Sequence, residues 1–244
     1  TENITLYKGV TLVGLNGTDR NGPTINGTIT CNIGTPGGAR TLHQAGLVNL
    51  LITKSTSGNC VYFTGTYAQE LRIQNCYLYG NSGTVPLLID NTGFDATPLV
   101  SLVILDNVTI QTVGASTPWQ QSSAIVEGRG RITVNAANNN NVAIAWSGSS
   151  IFYQSSPNLF VGGLITSAVS SPSFVSLTSL QQTTSGGVAI SKTGSGDMSL
   201  GQYGLSTPTP SATAPINVTT GTLYYSPPTI GILGYVGSIF SGAG

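Results

Sequence analysis

The feature that most constrains this chain is a short unit that returns along it. Gly46-Leu-Val-Asn-Leu-Leu-Ile52, Arg72-Ile-Gln-Asn-Cys-Tyr-Leu78 and Ile104-Leu-Asp-Asn-Val-Thr-Ile110 share one pattern. An apolar residue stands two before an Asn, and apolar residues stand one and three after it. Asn139-Asn-Asn-Val-Ala-Ile144 repeats only the second half. The Asn positions, 49, 75, 107 and 141, are separated by 26, 32 and 34 residues. A unit that recurs at such intervals is the mark of stacked supersecondary elements, each too small to bury its own apolar face.

The residues around the unit decide what stacks. Apolar runs such as Leu47–Ile52, Cys60–Phe63, Leu71–Tyr79, Leu99–Ile110 and Val142–Trp146 are short, and Gly, Asn, Ser and Pro clusters end each one. No long stretch carries a 3.6-residue period. Charged residues are only 7% of the 244, against roughly 25% in an ordinary domain. Ser, Thr, Asn, Gln and 32 glycines supply the polarity instead. This is material for strands and turns, poor in what solvent-facing helices need.

The expected fold is therefore all-β: a single-stranded right-handed parallel β-helix, one short strand pairing with its copy in the next coil. Asn49, Asn75, Asn107 and Asn141 are the expected corner residues. Asn tolerates the left-handed backbone of a sharp bend, and its amide can bond to the Asn of the neighbouring coil inside the stack. The body is expected over residues 1–205, a Pro/Ser/Thr linker over 206–216, and an apolar oligomerisation element over 217–244. In that last element Leu223, Tyr224, Tyr225, Ile230, Ile232, Leu233, Ile239 and Phe240 form a C-terminal β/apolar trimerisation tail. The Gly-rich run from 229 to 240 is too short for a membrane span.

The opening segment, Glu2-Asn-Ile-Thr-Leu6 followed by Lys8-Gly-Val-Thr-Leu-Val-Gly14, resembles the first coils of pectin-lyase-like right-handed β-helix proteins. That superfamily includes polysaccharide lyases and hydrolases as well as the trimeric tailspikes and fibres of viruses. The resemblance implies the fold; function has to be argued from sites.

Eight basic and eight acidic residues cancel, so no field favours nucleic acid or an anionic membrane. The carboxylates are scattered, without the Asp-Asp or Asn-x-Asp pairs of the sugar-cleaving relatives. Glu127, beside Arg129 and Arg131, reads as one half of an ion pair. No catalytic residue, metal or cofactor is expected, and His43 has no partner at metal spacing. Cys31, Cys60 and Cys76 read as buried free thiols. Trp119, Gln120 and Gln121 are the candidate ligand-binding residues, an indole beside two amides being suited to a sugar. The alternative for Trp119 is a ring folded back over the coil. The functional expectation is a homotrimeric spike or fibre domain at a virion surface or otherwise extracellular. Its expected partners are its own copies, host surface glycan or other capsid proteins. A polysaccharide-cleaving or polysaccharide-binding enzyme and a bacterial surface adhesin are the alternatives.

Overall fold

The computed structural model describes residues 2–7, 9–15, 23–32, 43–65, 69–90, 101–155, 158–225, 230–235 and 238–242. All described regular structure is strand, and every strand pairing is parallel. A typical coil contains three strands, such as Gln69–Gln74, Tyr77–Gly80 and Thr84–Asp90. We call these the first, second and third faces. In the coil that follows, Leu102–Thr112 bends through Asn107 to supply the first two faces, and Trp119–Gln121 supplies the third.

Residues pair with their counterparts one coil away, so side chains form columns. On the first face the inward column runs Ala45, Leu71, Val103, Val126, Phe152, Val175, Met198 and Leu223. On the third it runs Ile29, Val61, Leu87, Trp119, Ile144, Ile165, Ile190 and Ile216. All of these are buried except Leu223, which packs on the core from the last coil. Alternation within each strand, apolar in and polar out, fixes the register, because a one-residue slip would reverse every column.

The corner between the first two faces needs a left-handed backbone, and Asn supplies it. Asn49, Asn75 and Asn107 have φ of 57°, 51° and 52°. Asn75 Nδ2 donates to Asn49 Oδ1 at 3.2 Å. In the next coil Gly130, with φ 59°, takes the left-handed position, and Asn107 Oδ1 accepts from the Arg131 backbone N–H at 3.0 Å. The ladder therefore ends at Asn107. Asn141 is not its fourth rung: it precedes the third-face strand Val142–Gly148, and its N–H bonds to the Asn138 carbonyl. Half of a repeat pattern matched there because apolar alternation is common to all three faces. The ladder amides are also less enclosed than expected, with Asn49 and Asn75 half-buried and Asn107 exposed.

The coils do not stop at residue 205. The strand Asp197–Ser211 carries Pro208 and Pro210 into the expected linker. Beyond it Ile216–Val218, Leu223–Tyr225, Ile230–Tyr235 and Phe240–Ser241 pair in parallel on the preceding coil. By strand pairing the described residues between 206 and 241 continue the stack. Pro is tolerated there because β-helix turns leave some backbone N–H groups unpaired.

The corner yields a prediction. Asn75→Leu should lower stability by about 1–3 kcal/mol, combining left-handed strain with a lost amide bond. Asn75→Gly, which keeps the backbone, should cost less. Urea melts of both variants check the order, and equal losses would remove the backbone from the explanation.

Candidate functional site

Trp119 is turned inward. The short strand Trp119–Gln121 pairs with Leu87–Ile89 and with Ile144–Trp146, which puts Trp119 in the third-face core column. Its ring is fully buried, edge-on to Trp146 at 5.6 Å and to Phe152 at 5.3 Å. Trp146 and Phe152 are stacked at 5.4 Å. Gln121 is also enclosed, its Nε2 donating to the carbonyls of Ala124 at 3.0 Å and Ile151 at 3.1 Å. Only Gln120 faces partly outward. The sugar-stacking expectation for these residues is thus corrected: the Pro before Trp119 suggested a loop, but the Pro118 carbonyl already accepts the Leu87 N–H in the ladder.

Glu70, Arg72, Asp106, Glu127 and Arg129 lie together on the outer side of the first face. Glu127 receives Arg129 Nε and Nη2, both at 2.7 Å, and Glu70 receives Arg72 Nε at 2.7 Å. Both are Glu-x-Arg pairs, and a spacing of two on a strand puts the partners on the same side. Arg129, with help from the Ser155 and Tyr153 hydroxyls, holds the Glu127 carboxyl below its ordinary range against the opposing effect of burial. Burial, then the neighbouring carboxylate, raises the Tyr153 phenol. Asp106 accepts from Gln74 Nε2 at 3.2 Å. A carboxylate engaged by both arms of a guanidinium is a poor proton acceptor for a substrate.

Lys192 was not legible as special in the sequence. It is fully buried at the inner edge of the third face, in one column with Gln121, Trp146 and Ser167. Its Nζ donates to the carbonyls of Gly194 and Thr220, each at 2.8 Å, tying together turns of two successive coils. Desolvation lowers its pKa, opposed by Asp197. The three cysteines are buried and form no disulfide; burial pushes Cys31 and Cys60 up to about 12, which leaves those two as unreactive thiols. The His43 side chain lies outside the described residues.

Two surface features remain. At the last coil, Tyr224, Tyr225, Leu233 and Ile239 are 57%, 46%, 71% and 39% exposed. Phe240 is half-buried against Tyr225, with ring centres 4.6 Å apart, and Leu223 packs on the core. Ile230 and Ile232 are placed by backbone register opposite Tyr203 and Leu205, and their side chains lie outside the described residues. The second feature is a groove of about 430 Å³ along the second face, lined by Asn135, Asn139, Phe160, Gln181, Thr183 and Leu233 among others. No family model matches the sequence, and comparison with curated proteins and with solved structures finds no significant similarity to any of them.

Two predictions follow from burial and charge. Trp119→Ala should destabilise by about 3–5 kcal/mol, the range for emptying an aromatic site in a core, as read by denaturant melts; an unchanged melt would put the ring at the surface. Glu127, with a depressed pKa, contributes stability that is present above the ordinary carboxylate pKa of about 4.3 and is lost as pH falls through its lower folded value. Glu127→Gln should therefore be less stable than the parent at pH 7, and the gap should close in acid. A gap independent of pH would contradict the ion-pair account.

Proposed function

We propose that this chain is the β-helix domain of a homotrimeric spike or fibre, acting in attachment at a virion surface or another extracellular surface. The observation that carries this reading is the exposure of Tyr224, Tyr225 and Ile239 on the terminal coil. These side chains come from separate segments of that coil, and no charged residue follows Asp197 in the sequence. Uncharged apolar surface on strands with an open edge favours association. Closure by rotation satisfies it without growth into aggregates, and three chains side by side also give weak surface contacts the benefit of multivalency.

The body supports the same role. Parallel pairing along the whole described stack gives a stiff rod. Its Ser-, Thr- and Asn-rich exterior, with two Glu–Arg pairs on the first face, offers little to nonspecific ionic partners. The virion assignment rests on the resemblance of the opening segment to pectin-lyase-like β-helix proteins, whose superfamily includes viral tailspikes and fibres, and host glycan or other capsid proteins are the partners it brings.

Sedimentation equilibrium tests the assembly. The expected mass is about 75 kDa, three times the 25.0 kDa chain. Tyr224→Glu with Tyr225→Glu should give a folded monomer with unchanged far-ultraviolet circular dichroism. A monomeric parent, or a double variant that stays trimeric, would sink the proposal.

A further inference from the structure

We infer that the groove on the second face is a binding site for an uncharged oligosaccharide lying along the coil axis. The inference deepens the attachment reading and depends on it only for biological role, since the groove is formed within one chain. Its outer wall is a single register position followed through successive coils: Asn135, Gly162, Thr183, Ser206 and Leu233. The adjacent outward position, two residues earlier on each strand, gives Phe160, Gln181 and Gly204. Neighbouring positions in each row are therefore about 4.8 Å apart, the spacing of paired strands. That repeat is close to the advance per residue of an extended β-linked sugar chain.

Two glycines shape the groove. Gly204 lies inside the strand Asp197–Ser211, where glycine weakens a strand, and Gly162 ends the strand Leu159–Gly162; neither has a positive φ that would demand it. What each provides is room. A β-carbon at Gly162 would stand 2.8 Å from Asn135 Oδ1, and one at Gly204 would run into the Gln181 amide. The glycines thus let two primary amides lie flat across the neighbouring strand, at the groove floor. Thr183 and Ser206 add hydroxyls 3.4 Å apart.

The chemistry of the lining selects the ligand. Amides and hydroxyls offer donors and acceptors together, which suits vicinal sugar hydroxyls. Phe160 and Leu233 supply apolar surface for the C–H faces of a ring. Among the described residues no charged one lines the groove, which favours a neutral ligand over a uronate, a phosphate or a nucleic acid. Arg131 is not among the lining residues; its guanidinium sits over the Phe160 ring at 4.5 Å. A volume of about 430 Å³ falls within the range of small-ligand sites and is too small for a folded partner.

Calorimetric titration of the full chain with cellohexaose, chitohexaose, maltohexaose and mannohexaose tests the site, with hexagalacturonate as the charged control. At least one neutral hexasaccharide should bind saturably, and hexagalacturonate should bind at least tenfold more weakly. Gln181→Ala, at an exposed side chain, should weaken binding at least tenfold with an unchanged melting temperature. Gly204→Val should abolish binding by filling the floor. Failure of all four neutral sugars to bind, preference for hexagalacturonate, or wild-type affinity in Gln181→Ala would overturn the inference. Mass measured on the same samples separates the two readings: sugar binding by a monomer removes the trimer and keeps the groove, and a trimer blind to sugar does the reverse.

Discussion

Everything in this protein depends on backbone hydrogen bonding between one coil and the next. Each parallel pair fixes the distance and the register of its neighbours, so a position once inward stays inward for the length of the stack. The core is consequently a set of columns, and the exterior is a set of rows. A polar or aromatic residue acquires its role from the row it occupies more than from its neighbours in sequence. Phe160 and Gln181 are far apart in the chain, yet they are adjacent on the surface.

That constraint explains what could be read from the sequence. The three full Asn units marked the corner because the corner imposes two requirements at once, a left-handed backbone and apolar residues in fixed phase on either side. Asn49, Asn75 and Asn107 satisfy both. At the next corner Gly130 meets the backbone requirement with no side chain, so the signal vanished and Asn141 was substituted for it. The continuation past residue 205 was hidden for a related reason. Pro-rich composition suggests a linker, but Pro208 and Pro210 fall where the register shifts between Ser206 and Ser211, and the strand pairs again with the next coil at Ser211.

The surface was harder to read than the core. Trp119 looked like a binding residue because it follows Pro and precedes two amides, and only pairing with Leu87 and Ile144 shows that its side points inward. Lys192 gave no signal, since its environment is made of carbonyls from turns far apart in sequence. The groove was equally silent. Its outline comes from Gly162 and Gly204, and glycine in a chain with 32 of them attracts no notice until the register shows that neither is needed for the backbone.

The aromatic cluster also determines what spectroscopy of this molecule can see. The chain has two tryptophans, and both are packed against Phe152 in the middle of the stack, sealed from solvent. Their emission is a probe of the central coils alone. Fraying of the terminal coil that carries Tyr224 and Tyr225 would leave the indole signal blue-shifted and steady while amide exchange and tyrosine absorbance changed. In a linear stack whose stability is a sum of neighbour terms, loss of the ends and loss of the centre would therefore register as separate optical events.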